Sequence, residues 1–200
     1  MGQRHDGQPA VSRDPVPITL TDRLASLGER ATVDEAVELF DDLPPLRAEE
    51  LTGRWHGREI ATGHPLDGLL GPSGWYGKQF DGVDEVHPLL FRSADGSLYA
   101  ADPRRMPLGL AGRLPAFAVD RAGPAVRRLS SLLRTRRYSA RLRNIEHRGV
   151  VTAAMVYDDL PIIDVFRAVD ADTMLGLMDY RAHPAPFFFV LERDSTTTTR

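Results

Sequence analysis

Cysteine is absent from this chain of 200 residues. That absence excludes a disulfide framework, a thiolate metal site and a cysteine nucleophile. Long apolar runs are also lacking, and the first 19 residues contain no apolar stretch of the kind that a signal peptide needs. No glycine-rich phosphate loop and no GxSxG elbow is present, which argues against nucleotide-binding and α/β-hydrolase chemistry. We expect a cytoplasmic protein that is stabilised by packing alone.

Lysine is almost absent, since Lys78 is the only lysine among 25 basic residues. This bias is typical of a bacterial chain from a GC-rich genome. The net charge of −3 is small, and 42% hydrophobic and 26% charged residues are usual for a globular protein. We expect a disordered tail at 1–18 and one domain at 19–193, made of an N-terminal half (33–102), an insertion (103–139) and a C-terminal half (140–193).

The C-terminal half has the pattern of an antiparallel sheet. Five strand-length segments follow one another at 141–147, 150–157, 162–169, 173–180 and 187–192. Their connections are too short for the crossover that a parallel pair needs, so neighbouring strands must be antiparallel. Apolar and polar residues alternate in several of them, as Leu142 does with Arg141 and Arg143, which predicts one face in solvent.

The N-terminal half predicts four more strands and one short helix. The strands fall at 52–61, 75–80, 86–92 and 97–101, with one or two helical turns expected within 64–70. Thr32 and Glu35 form a capping box that starts the helix, which two prolines end at 44–45. About nine strands with no second set of helices are expected to close, because an open sheet leaves two edges unpaired. The fold predicted is a mainly β, closed or nearly closed antiparallel barrel, wide enough for one small ligand.

The insertion is rich in arginine. Between 103 and 145 there are eleven arginines and one acid, Asp120. Pro124 can begin a helix with one apolar face. The arginines around that face are Arg127, Arg128, Arg134, Arg136 and Arg137. We expect this basic amphipathic helix to dock on an anionic membrane surface; the alternative is a helix packed across the barrel mouth with solvated arginines. Specific nucleic-acid binding is not expected, because the segment lacks a platform of aromatic residues.

Several motifs resemble a bacterial family that is named for its GxWxG sequence. The matching segments of the N-terminal half are GRWHG at 53–57, TGHPLDG at 62–68, GWYGK at 74–78 and VHPLLF at 86–91. In the C-terminal half, EHRGVV at 146–151, MVYDDLPIID at 155–164 and GLMD at 176–179 resemble a domain of unknown function. The resemblance covers roughly residues 33 to 193 and implies no established activity.

The GxWxG motif is also similar to the N-terminal signature of lipocalins and of nitrobindin-like haem barrels. That similarity implies a calycin-like barrel for apolar small molecules, with the kinship on the side of the intracellular members. From the residues alone, the motif's Trp55 is read first as a plug of the core, with glycines on both sides that let other groups come close to its ring.

His64 and Asp67 are the candidate catalytic pair. Their spacing of three would place both on one face of a helical turn, where the carboxylate could orient the imidazole of a general base. The alternative is structural: Asp67 caps a turn at Gly68, and His64 is held by packing before Pro65.

Candidate ligand-binding residues are mostly aromatic or apolar, with a few polar groups among them. Lys78 could bind the head group of a ligand, and Asp164 could pair with it if it points inward, as could Asp179. His87 is read as a core histidine in preference to a metal ligand, and no spacing of histidines supports a metal site. The full set is Trp55, Trp75, Tyr76, Lys78, His87, Met155, Tyr157, Asp164 and Met178.

Three functions remain open on the sequence alone. The first is the binding of a small apolar ligand, such as a fatty acid or phospholipid, in the barrel cavity, with the membrane as a docking surface. The second is an enzyme that uses His64 and Asp67 on a small hydrophobic substrate. The third is a haem barrel with His87 or His147 as the iron ligand, although no cofactor is required by the sequence.

Overall fold

The computed structural model describes residues 18–93, 95–106 and 133–195. Three α-helices lie within these ranges: α1 Leu20–Leu27, α2 Val33–Asp42 and α3 Leu70–Ser73, with two 3-10 turns at Ala48–Glu50 and Pro103–Arg105. The strands of the N-terminal half are β1 Gly53–Ile60, β2 Trp75–Gly82, β3 Glu85–Arg92 and β4 Leu98–Ala101. The remaining strands are β5 Arg134–Thr135, β6 Ala140–His147, β7 Val150–Tyr157, β8 Ile162–Ala168, β9 Thr173–Tyr180 and β10 His183–Arg193.

Eight of these strands close into an antiparallel barrel. The order around the ring is β2, β1, β10, β9, β8, β7, β6 and β3, and β3 pairs with β2 to complete it. β4 pairs with the end of β3 and carries β5 on its far side. The closed barrel that the sequence predicts is therefore confirmed. We call the end where β1 stops and β2 starts the upper end, and the opposite end the lower end.

The lower end is closed by the chain that leads into β1. Leu46, Ala48 and Leu51 join the apolar side chains of the barrel interior, and this segment is held by backbone hydrogen bonds such as Ala153 N to Leu46 O at 2.8 Å. Trp55 lies just above it and donates its indole N–H to the Thr52 carbonyl at 3.0 Å. Trp55 therefore plugs the closed end of the barrel, as the first reading of the motif predicts.

The two N-terminal helices cover the outside of the barrel. α2 begins at a capping box in which Thr32 Oγ1 accepts from the Glu35 N–H and the Glu35 carboxylate accepts from the Thr32 N–H. Its apolar face, with Phe40 at the centre, packs on outward-facing residues of β8, β9 and β10. The capping box at Thr32 is confirmed. α1 was not predicted from the sequence, although Thr19 and Asp22 give it a capping box of the same kind.

Two neighbouring bulges change which residues of β2 and β3 face inward. The register between the strands shifts on both sides of Gly77, whose φ is +149° and whose missing Cβ would lie 1.9 Å from the Trp55 carbonyl oxygen. Only glycine is accommodated at such a position. Because of these two bulges, Trp75 and Lys78 both point into the barrel, although residues three apart on a regular strand face opposite sides.

The predicted basic helix lies largely outside the described residues, which leave out 107–132. Its C-terminal part is described and is not helical, since Arg134 and Thr135 form β5 on the edge of β4. Tyr99 has the Arg134 guanidinium 4.9 Å from its ring centroid, and Arg137 forms an ion pair with Asp159 at 3.4 Å. Membrane docking by this segment stays a prediction.

Candidate functional site

The wall of the barrel is split between β1 and β2 at the upper end. β1 pairs with β2 only from Gly53 to His56, whereas on its other side it stays paired with β10 as far as Ile60. The chain then leaves the wall and returns to it at Trp75. A cleft of about 940 Å³ opens at this split.

We call this opening the lateral cleft. It is lined by residues 29–33 before and at the start of α2, by the upper half of β1 with the residues that follow it, by residues of the 67–71 segment, and by Trp75. Glycines, Leu70 and Trp75 form the apolar part of its wall, and charged side chains, among them Arg30, Arg58 and Glu59, form much of the rest. The volume is typical of a small-molecule site.

Trp75 forms the inner wall of the lateral cleft. The outer edge of its indole lies against Gly57, where a Cβ would come within 2.1 Å of the ring. The second glycine of the GxWxG motif therefore makes room for a tryptophan of the next strand. Behind the indole, the Lys78 ammonium lies 6.0 Å from the ring centroid, so that Trp75 separates the cleft from the polar groups of the interior.

Three residues of the cleft carry buried polar atoms that have no hydrogen-bond partner in the described part of the chain. These atoms are Thr62 Oγ1, Asp67 Oδ1 and Trp75 Nε1. A buried donor or acceptor without a partner costs on the order of 1–3 kcal/mol. A bound molecule with polar groups could supply the missing partners.

Glu59 is a half-buried acid on the same wall. Its carboxylate accepts hydrogen bonds from the backbone N–H of Gly68 at 2.7 Å and of Leu70 at 3.4 Å, and so fastens the segment above the cleft to β1. Burial raises the pKa of Glu59, an effect that these two hydrogen bonds oppose.

A charged pair lies in the barrel interior behind Trp75. The Lys78 ammonium donates to Asp164 Oδ2 at 2.7 Å and to the Pro88 carbonyl at 3.3 Å. Both side chains are buried, with 3% and 1% of their surface exposed. Around them stand aromatic rings, of which Phe189 is the nearest to the ammonium, with its centroid at 4.9 Å.

The Asp164 carboxylate is only partly satisfied by its neighbours. Burial raises its pKa, and the charge of Lys78 acts in the opposite direction. Burial also raises the pKa of the Tyr157 hydroxyl, which is near enough to Asp164 to interact electrostatically with it. No hydrogen bond of normal geometry joins the two, and Asp164 Oδ1 has no partner among the described residues.

His64 and Asp67 are brought together through the backbone and not through the imidazole. Asp67 Oδ2 accepts from the N–H groups of Gly63 at 2.7 Å and of His64 at 2.9 Å. The carboxylate therefore caps the turn, which is the structural alternative of the sequence analysis. The expected imidazole–carboxylate hydrogen bond is not formed, and a catalytic role of this pair has no support in the geometry.

The His64 ring packs in the upper end of the barrel. Its Nδ1 accepts from the Leu66 N–H at 3.1 Å, which assigns the proton of the neutral ring to Nε2. The rings of His183 and Phe187 lie 5.3 and 5.4 Å away. Burial lowers the pKa of His64, and the neighbouring His183 lowers it further.

The other predicted ligand-binding residues are divided between the two faces of the barrel wall. Trp55, Met155 and Met178 belong to the interior cluster. Tyr76 packs on the outside with Leu90 and Ala100. His87 stacks on Tyr138 with a centroid distance of 4.6 Å, on the opposite side of β3 from the inward Val86.

The remaining histidine and aspartate predictions can be placed as well. His147 packs beneath α2 against Phe40, so neither His87 nor His147 points into the interior, as an iron ligand would have to. Asp179 is exposed on β9, whereas Asp164 points inward as expected. In the described part of the chain, no group of three or more acidic or histidine side chains could hold a metal ion.

The cleft itself was missed by the sequence analysis. The ligand was predicted to lie in the barrel cavity, and of the nine candidate ligand-binding residues only Trp75 lines the lateral cleft. Glu59 and Thr62 gave no signal as site residues. A signal for Gly57 was present in the pairing of its motif with a second tryptophan eighteen residues later.

None of the described helices has the length and apolar character needed to cross a membrane.

The fold and cleft define a class of protein, a closed eight-stranded antiparallel barrel of calycin-like form with an opening in its side wall. Two family models match the chain: the GXWXG protein over residues 38–96 and the domain of unknown function DUF4334 over residues 138–193. The chain belongs to this GXWXG family.

A crystal structure of a protein from Thermomonospora curvata is similar to this one. The two sequences are 33% identical, the match covers 88% of this chain and 98% of that chain, and the TM-score is 0.66. The sequence has no match among the curated proteins.

Proposed function

We propose that the protein binds a small, largely apolar molecule, such as a fatty acid, a phospholipid or a similar compound, in the lateral cleft of its barrel. The apolar part of the ligand contacts Trp75 and Leu70, and its polar part lies among the polar side chains of the lining, which include Arg30, Arg58 and Thr62. The proposal differs from the expectation of a deep cavity, because the barrel interior is filled by packed aromatic rings such as Phe80, Phe166 and Phe189.

The observation that carries this proposal is the coincidence of the cleft with unsatisfied polar atoms. Three such atoms belong to residues of one cleft, whereas buried polar groups in folded proteins nearly always have partners. The cleft also lies where the strand pairing of an otherwise closed barrel stops. A barrel without a ligand would gain hydrogen bonds and packing by continuing the β1–β2 pairing to Ile60.

A charge placed in the cleft tests the proposal. Leu70 is half-buried and packs on the interior cluster, so Leu70→Glu puts a carboxylate on the apolar wall. We expect the variant to bind the aromatic, anionic dye anilinonaphthalene sulfonate roughly tenfold more weakly than the unchanged protein, a loss of about 1.4 kcal/mol, because the carboxylate removes apolar contact and repels the sulfonate. Fluorescence titration measures both affinities.

The matched control is Val151→Glu. Val151 is an exposed aliphatic residue on β7, with 59% of its surface accessible, and it lies at the lower end of the barrel. The same charge there should leave dye binding unchanged. Equal weakening in both variants would attribute the effect to net charge, and no weakening in either would mean that the dye does not occupy the lateral cleft.

A further inference from the structure

We propose that Trp75 is a movable wall of the lateral cleft, and that a ligand which displaces it binds the Lys78–Asp164 pair through a neutral hydroxyl or amide group. This inference rests on the proposed function, because the ligand enters by the same cleft. It adds a second part to the site, in the interior, and a chemical class for the ligand.

The interior pair is incomplete as it stands. Asp164 is 1% exposed and its Oδ1 has no hydrogen-bond partner in the described residues. Oδ2 is occupied by the Lys78 ammonium at 2.7 Å. The Tyr157 hydroxyl lies beside this carboxylate and interacts with it, but no hydrogen bond within normal distance and angle limits reaches Oδ1. Oδ1 can therefore take a hydrogen bond from a donor group of a ligand.

The charge of the pair selects a neutral group. Lys78 and Asp164 already compensate each other, and the other buried charged residues of the described part of the chain lie elsewhere: Arg167 packs on Phe40 under α2, and Asp102 pairs with Arg104. A ligand carboxylate would place a second negative charge beside Asp164 in surroundings that solvate charge poorly. A hydroxyl or an amide N–H donates to Oδ1 and adds no charge.

The rest of the ligand is apolar because the groups around the pair are apolar. The pair is surrounded by the rings of Trp75, Tyr157 and Phe189, whose centroids lie 6.0, 5.9 and 4.9 Å from the Lys78 ammonium. The ligand therefore takes the room that the Trp75 indole leaves when it turns. An aliphatic or aromatic alcohol, or the corresponding amide, fits these surroundings.

Trp75 is held by packing alone, with no hydrogen bond to its indole. Its Nε1 has no partner in the described part of the chain, in contrast to Trp55, whose indole is bonded to the Thr52 carbonyl. The ring lies against Gly57, which has no side chain to trap it. The cleft of about 940 Å³ on the other side can receive the indole when it turns.

The test uses two probes of equal chain length, decanol and decanoate, at neutral pH. The quantity measured by calorimetric titration is the ratio of their dissociation constants. Asp164→Asn leaves Lys78 without a compensating charge, so decanoate should bind more tightly relative to decanol. The ratio of the two dissociation constants should change roughly tenfold or more. The matched control Asp179→Asn removes an exposed acid from β9 and should leave the ratio unchanged.

A second variant replaces the whole pair. Lys78→Met combined with Asp164→Leu leaves no buried charge, and replacements of this kind are usually tolerated. We expect decanol to bind this variant roughly tenfold more weakly, because its hydroxyl has no partner. This measurement decides the matter if Asp164→Asn does not fold.

The outcomes separate this inference from the proposed function. If decanol binds the unchanged protein, but neither its affinity nor the ratio responds to these variants, the cleft binds ligands and the interior pair takes no part. If neither probe binds at all while Leu70→Glu still weakens dye binding, the chemical class named here is wrong. Failure of the dye and of both probes overturns both proposals.

Discussion

Lys78 and Asp164 are two charges in an interior that is otherwise built from apolar and aromatic side chains. Removing two charges from water is expensive, and their attraction repays the expense only when the geometry is good and the remaining polar atoms are satisfied. Here the distance is short, at 2.7 Å, but Asp164 Oδ1 is unsatisfied. The pair is therefore better explained as part of a binding site than as a source of stability.

This explanation predicts unequal effects of single and paired replacement. Lys78→Met leaves Asp164 buried and alone, and should lower the free energy of unfolding by about 3–5 kcal/mol at neutral pH. Replacing both residues, by Met and Leu, should cost much less or even stabilise the fold. Urea unfolding measures the three proteins. Equal losses in the single and the double variant would mean that the pair itself stabilises the barrel.

Gly57 and Gly77 predict a graded response to an added methyl group. At Gly57 the new Cβ meets the rim of the Trp75 indole, a side chain that can shift, so Gly57→Ala should cost about 1–3 kcal/mol and alter the tryptophan fluorescence. At Gly77 it meets the backbone of Trp55 at a φ of +149°, and Gly77→Ala should cost more. If Gly57→Ala is neutral and leaves the fluorescence unchanged, the indole does not lie against Gly57.

His64 predicts a loss of stability in mild acid. Its pKa is lowered in the folded protein, chiefly by burial, so the unfolded chain takes up a proton first as the pH falls below about 6.5. The stabilisation by the neutral ring is present above that pH and decreases below it. His64→Leu should be less stable at neutral pH, because the Leu66 N–H loses its acceptor, but its stability should fall less steeply with acid.

The comparison between variant and parent is essential for this measurement. The pKa values of His87 and His147 are also lowered by burial and act in the same direction, whereas the raised pKa of Asp164 acts in the opposite one. Urea unfolding of both proteins over the range below pH 6.5 isolates the contribution of His64. Parallel curves for the two proteins would contradict the assignment.

At the scale of elements, the alternation of apolar and polar residues predicts most of the sheet. β7 and β9 have the bounds that the sequence predicts, β3, β6 and β8 differ by one residue at one end, and β1 differs by one residue at each end. β6 is the clearest case, because one of its faces is exposed. β8 and β9 are buried on both faces because α2 covers them, and they are predicted as apolar segments between turns. The bulge at Gly77 breaks the alternation, so the inward position of Lys78 could not be read from the pattern.

Helices were predicted where a capping motif and a regular apolar face occur in the same segment. α2 has both, and its start at Thr32 is found as expected. α1 is short, and only Leu24 is fully buried, so its apolar face gives a weak periodic signal. The turn at His64 was open between two readings, because spacing alone does not tell whether Asp67 accepts from an imidazole or from the backbone.

Thr32→Ala tests the capping box of α2. The variant loses the acceptor for the Glu35 N–H, found at 3.2 Å, and should lower the free energy of unfolding by about 1 kcal/mol. Thr32→Ser keeps the hydroxyl and should stay close to the parent. Thermal unfolding followed by circular dichroism compares the three proteins. A loss in the serine variant as large as in the alanine variant would mean that the methyl group, and not the cap, carries the effect.

At the scale of the whole molecule, barrel closure follows from the number of strands, but the split in the wall does not. Closure was predicted because an open sheet of about nine strands would leave two edges exposed. The split depends on where β2 rejoins the sheet, and thus on Trp75 packing against Gly57. These contacts join residues that are distant in sequence, and a single sequence does not predict such contacts.

The central claim is that a small molecule binds in the lateral cleft against Trp75, and the two indole N–H signals of the protein test it most directly. Their nuclear magnetic resonance signals can be followed while decanol is added, with Trp55 as an internal control, because its indole is bonded to Thr52 at the closed end. The account predicts that the Trp75 signal moves and saturates while the Trp55 signal stays in place. A Trp75 signal that does not move up to the solubility limit of decanol, or an equal movement of both signals, would contradict it.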